Sequence, residues 1–77
     1  MDKRALLLEH LEQAQGHVAQ GLEHIAKQEA IIAELERDGY ATDEARKLLL
    51  TFLDLQTEHV EHRDRLVQEL AELNESG

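Results

Sequence analysis

The sequence predicts an all-α protein, an antiparallel hairpin of two long helices. Three observations predict it: the 77-residue chain has no proline, it is rich in leucine, alanine and glutamate, and one turn-forming segment at residues 38–42 divides it into nearly equal halves. Equal helices joined by a short turn can pack along their whole length. We therefore expect a single helical-hairpin domain over residues 1–77.

The first helix is expected from about residue 3 to residue 38. Its seam residues recur at alternating steps of three and four, the a and d positions of a heptad repeat. They are Leu7, Leu11, Ala14, Val18, Gly21, Ile25, Gln28, Ile32 and Leu35. A glycine inside a helix costs about 1 kcal/mol relative to alanine. Gly21 on the seam therefore predicts a close packing partner.

The turn is expected at residues 39–42. Gly39 suits the left-handed C′ position of a Schellman motif, in which Tyr40 is C″ and Leu35 is C3. Thr42 is a good N-cap for the next helix, and Asp43 adds negative charge to its first turn.

The second helix is expected from about residue 43 to residue 75. One apolar stripe runs along it, and a further apolar set points elsewhere. The further set is Leu50, Leu53, Val60 and Val67. A helix that is apolar on more than one side is buried on more than one side. A lone hairpin covers only one of them, so we expect a homodimer that forms a four-helix bundle.

Composition limits the function classes. The absence of cysteine excludes disulfides and thiolate metal sites, and the formal net charge of −9 argues against nucleic-acid binding. No segment is long and apolar enough to span a membrane, so a soluble cytoplasmic protein is expected. Thr51, Thr57 and Ser76 have no evident base, so no catalytic residue and no enzyme activity is expected.

Five histidines are the most informative polar residues. His10, His17 and His24 follow one another at seven-residue steps, so they form one row along the first helix. Residues seven apart are separated by roughly 10 Å and cannot share one metal ion. His59 and His62 lie three apart and are neighbours on the second helix.

Folding about the turn pairs residues whose numbers add to roughly eighty. Gly21 is then opposite His59, and His17 is opposite His62 and Arg63. His24 is paired with Gln56, and Gln28 with Phe52. We therefore expect a polar belt at mid-hairpin, made of His17, His24, Gln28, Gln56, His59, His62 and Arg63.

Three interpretations of this belt stay open. In the first, the residues are structural, bind no cofactor, and fix the register through hydrogen bonds. In the second, His17, His59 and His62 bind zinc or another divalent transition metal, since three imidazoles are the ligand set of an open zinc site. In the third, protonation of the histidines below neutral pH weakens association.

Two stretches, residues 17–39 and 45–66, combine apolar residues with a regular set of polar ones that includes His17, Gln28, Gln56, His59 and Arg63. Together they resemble a family of small, mostly uncharacterised bacterial helical proteins, over about residues 10 to 70. The resemblance implies a bacterial helical hairpin with no assigned activity. The function that we expect is a small structural or protein-interaction module.

Overall fold

Two long helices pack antiparallel in the computed structural model, which describes residues 2–76. Helix α1 is Lys3–Arg37 and helix α2 is Asp43–Ser76, and the described residues contain no strand. The molecule is a rod of 60 × 15 × 14 Å. The predicted all-α hairpin is therefore confirmed. Met1 and Gly77, which belong to the expected domain, lie outside the described residues.

The ends of α1 are capped by its own sequence. The Asp2 carboxylate accepts a hydrogen bond from the Arg4 backbone N–H at 3.3 Å, which satisfies one of the free donors of the first turn. At the other end Gly39 has φ +79°, a conformation that favours glycine. The Gly39 N–H donates to the Glu36 carbonyl and the Tyr40 N–H to the Leu35 carbonyl, at 3.2 and 2.9 Å. These two bonds confirm the Schellman motif.

Arg46 ties the turn to both helices. The Thr42 carbonyl accepts from the Arg46 backbone N–H at 2.9 Å, the first hydrogen bond of α2. The Thr42 hydroxyl accepts from Arg46 Nε at 3.0 Å, and the same guanidinium pairs with the carboxylate of Glu36 in the last turn of α1. The connection is thus held by side chains as well as by backbone hydrogen bonds.

The apolar core is small and lies mostly toward the open end of the hairpin. Leu7, Ala14 and Leu66 are buried together there, and Leu11, Leu70 and Leu73 pack against them. Near the turn Ile32 is buried. No described side chain is less than 2% exposed. No helix among the described residues has the length and apolar character to cross a bilayer.

Two buried glutamines join the helices, Gln28 near the turn and Gln56 at the middle of the hairpin. Gln28 and Gln56 are 6% and 9% exposed. Gln28 Nε2 donates to the Ala45 carbonyl on α2, and Gln56 Nε2 donates to the Val18 carbonyl on α1, both at 2.9 Å. Each helix therefore donates one side-chain amide hydrogen bond to the backbone of the other, the kind of contact that the first interpretation expects of these two residues.

Gly21 provides the space that Gln56 occupies. A Cβ built at Gly21 would overlap Oε1 of Gln56 and lie 2.7 Å from its Cδ. The amide therefore packs directly against the backbone of α1. The predicted close packing partner of Gly21 is the Gln56 side chain.

We expect Gly21→Ala to destabilise the protein even though alanine is the better helix former. The new methyl group displaces the Gln56 amide and overpacks the seam, at a cost of about 1–3 kcal/mol that exceeds the gain of about 1 kcal/mol in helix propensity. Urea denaturation at one fixed protein concentration measures the change in the free energy of unfolding.

Gly16→Ala is the matched control, since nothing lies within 4 Å of a Cβ at Gly16. It should stabilise the protein by up to about 1 kcal/mol. In a Gln56→Ala background, Gly21→Ala should also become stabilising because the obstructing amide is gone. Equal stabilisation by Gly16→Ala and Gly21→Ala in the wild-type background would contradict the packing described here.

Candidate functional site, a histidine-lined cleft

All five histidines lie on one side of the hairpin, which we call the histidine face. Two adjoining depressions lie on this face and share His17. The first is lined by His17, His24 and His59, and the second by His10, His17 and His62. His59 and His62 of α2 therefore lie beside the row of three histidines on α1. The five imidazoles follow one another along the rod.

His17 and His59 make direct contact between the helices. Their ring centroids are 5.4 Å apart and their planes meet at 66°, an edge-to-face arrangement. His17 is exposed and His59 is half-buried, so both rings are open to solvent on one side. The contact joins α1 to α2 midway along the rod.

The first depression is a cleft of about 370 Å³ beside this pair. Its far wall is His24 against Phe52, whose ring centroids are 5.7 Å apart and whose planes are tilted by 43°. Between the two aromatic pairs, Gly21 and the Gln56 amide that packs against it form part of the cleft lining.

The cleft lining contains few kinds of functional group. Besides the three imidazoles, the described side chains that line it are amide, phenyl and aliphatic, and none is a carboxylate. Among the described residues, the one buried side-chain nitrogen or oxygen atom without a hydrogen-bond partner is Gln56 Oε1, which faces Gly21. The cleft thus offers nitrogen donors and an apolar wall.

The facing pairs differ from the expected ones by about three residues. Gln56, expected opposite His24, lies over Gly21, and His59, expected opposite Gly21, meets His17. Pairing residues whose numbers add to eighty ignores how side chains interlock. In the structure the Gln56 side chain packs over Gly21, as a knob fits into a hole of the facing helix.

The other predicted belt residues have different environments. Gln28, expected to face Phe52, instead donates to the Ala45 carbonyl. Arg63 is half-buried and its guanidinium pairs with Asp64 on its own helix, at 3.0 Å, rather than with α1. The belt is therefore divided, with the glutamines in the seam and the histidines beside it.

The predicted metal ligands are only partly brought together. His17 lies between the other two, since it contacts His59 and shares the second depression with His62. Within the described part of the chain, no three histidine, aspartate or glutamate side chains are placed to hold one ion. What the structure brings together is the pair His17 and His59.

Phe52 and Leu55 were not expected to belong to a site, yet both line the cleft. The signal was present in the sequence, because Phe52 is on the seam of α2 and Leu55 follows it by three residues, on the same side of the helix. The three-residue error in pairing concealed their position opposite His24.

Comparison with protein-family models, with curated proteins and with solved structures found no match to this chain. The resemblance to small bacterial helical proteins therefore stays a prediction.

We expect nuclear Overhauser effects between the ring protons of His17 and His59, and between those of His24 and Phe52. These pairs follow from the register in which Gln56 lies over Gly21. The alternative register, with pairs adding to eighty, would instead bring Phe52 beside Gln28. Cross-peaks from Phe52 to the Gln28 amide, with none to His24, would refute the register.

Proposed function

We propose that the hairpin associates with a second copy of itself, forms a four-helix bundle, and acts as a small structural or protein-interaction module. The observation that carries this proposal is a second apolar face that the hairpin leaves uncovered. We call it the aliphatic face, and it consists of Leu8, Leu22, Leu50, Leu53, Val60 and Val67. All except the half-buried Val60 are at least 41% exposed.

The Glu36–Arg46 ion pair shows that these residues share one side of the rod. Leu22 lies fourteen residues before Glu36, in the same heptad row of α1, and Leu53 lies seven residues after Arg46, in the same row of α2. Glu36 and Arg46 stand at the turn ends of these two rows. Because they pair with each other, the two rows run side by side along the rod. The histidine face lies on the other side of the seam.

The exposed area of the single hairpin is too large for a compact protein. It exposes 5823 Å², whereas a compact protein of this mass exposes roughly 4800 Å². Its radius of gyration is 17.6 Å, against about 11.5 Å for a compact domain of 77 residues. The excess area of roughly 1000 Å² is comparable to the roughly 800 Å² that each partner buries in a standard complex.

A second copy fits this face in size and chemistry. A face of 60 by 15 Å offers roughly 900 Å², enough for an interface of standard size. An aliphatic surface matches itself about a two-fold axis, as a homodimer requires. Ala19 and Ala26 flank Leu22 on α1, and their small side chains allow a close approach. We place this module in the cytoplasm as part of the same proposal.

We expect Leu53→Glu to convert a wild-type dimer into a monomer. The substitution buries two unpaired carboxylates in a symmetric interface, which costs several kcal/mol and weakens association by at least about a hundredfold. Light scattering coupled to size exclusion at micromolar concentration measures the mass, and circular dichroism checks that the helices persist.

Leu55→Glu is the matched control, because Leu55 is 44% exposed, close to the 41% of Leu53, but lines the cleft on the histidine face. This variant should remain dimeric. Dissociation by Leu55→Glu alone would assign the interface to the histidine face. A folded wild-type monomer would reject self-association.

A further inference from the structure

We propose that His17 and His59 form a two-imidazole binding site for a zinc-class divalent ion at the edge of the cleft. Water molecules would complete the coordination. Both ligands come from one chain, so the site goes beyond the proposed module and does not depend on dimer formation.

The separation of the two rings matches the geometry of shared coordination. Zinc binds imidazole nitrogen at about 2.0–2.1 Å, and two imidazoles at a tetrahedral angle then have ring centroids roughly 5.3 Å apart. The observed centroid separation is 5.4 Å. A right-angled pair, as in square-planar coordination, would require roughly 4.6 Å. The observed separation is therefore compatible with tetrahedral coordination by both rings, as it is with an ordinary edge-to-face contact.

Chelation by this pair requires one nitrogen of each ring to point toward a common position. The planes now meet at 66°, edge to face. Rotation about χ2 of histidine is broad, so each ring can reorient while its centroid stays nearly in place. His17 is exposed and the cleft opens beside the pair, so an ion and its waters can enter.

The donors select the class of ion. Imidazole nitrogen suits zinc, copper and nickel, whereas magnesium and calcium require oxygen ligands. The described cleft lining has no carboxylate. His62, the third ligand predicted from sequence, shares a depression with His17 but not with His59, so we assign two protein ligands.

The test is a zinc titration of untagged protein by calorimetry, with cobalt as a spectroscopic substitute. We expect one ion per chain, tetrahedral cobalt absorption in the visible range, and no binding of magnesium. His17→Gln and His59→Gln should each weaken zinc binding by roughly a hundredfold, because a chelating pair becomes a single donor. Zinc should also raise the melting temperature, since it joins the two helices.

His24→Gln is the matched control, since His24 is exposed, lines the same cleft and lies one heptad from His17. It should bind zinc as the wild type does. Zinc-induced shifts confined to the His17 and His59 ring signals would support the site in the unmodified protein. Absence of zinc binding, octahedral cobalt, or equal loss in His24→Gln would overturn it. If the wild-type protein binds zinc as a monomer, the proposed dimer is rejected and the zinc site stands.

Discussion

The buried amide of Gln56 against Gly21 is the contact on which the arrangement of the rest of the hairpin depends. Its Nε2 reaches the Val18 carbonyl only because no side chain stands at position 21. Sliding α2 along α1 would set the amide against a larger residue and leave its N–H groups without the carbonyl. An unmade hydrogen bond of this kind costs about 1–3 kcal/mol. The pair thus specifies one register among several that the leucines alone would accept.

That register determines what the histidines can do. With Gln56 over Gly21, His59 meets His17 and Phe52 meets His24, and an open cleft lies between these pairs. The same glycine admits the amide and lines the cleft. A structural requirement and a candidate binding site therefore share one residue.

The two faces of the rod suit different purposes. The aliphatic face offers an apolar surface of a size suited to a second hairpin, whereas the histidine face combines imidazoles with exposed apolar side chains such as Leu55 and holds the cleft. Because the faces lie on opposite sides of the seam, covering the first leaves the second open to solvent. In the proposed bundle each copy would present its own imidazole pair outward, and association and ion binding would not compete for the same surface.

Local sequence determined most of the fold. The absence of proline, the heptad spacing and the Gly39 turn predict two helices whose observed bounds, Lys3–Arg37 and Asp43–Ser76, lie within about one residue of those expected. These features depend on backbone preferences and on residues close in the chain. The buried state of Gln28 and Gln56 also follows from their seam positions.

Only the tertiary structure decided which residues face each other. Counting back from the turn placed Gln56 opposite His24, because it treated the helices as rods of equal height and ignored how side chains interlock. The actual offset depends on whether an amide fits over a glycine 35 positions away in the chain, which no periodicity records. The histidine row and the approach of His59 to His17 were therefore readable from the sequence, whereas the packing of Gln56 over Gly21 and of Phe52 against His24 was not.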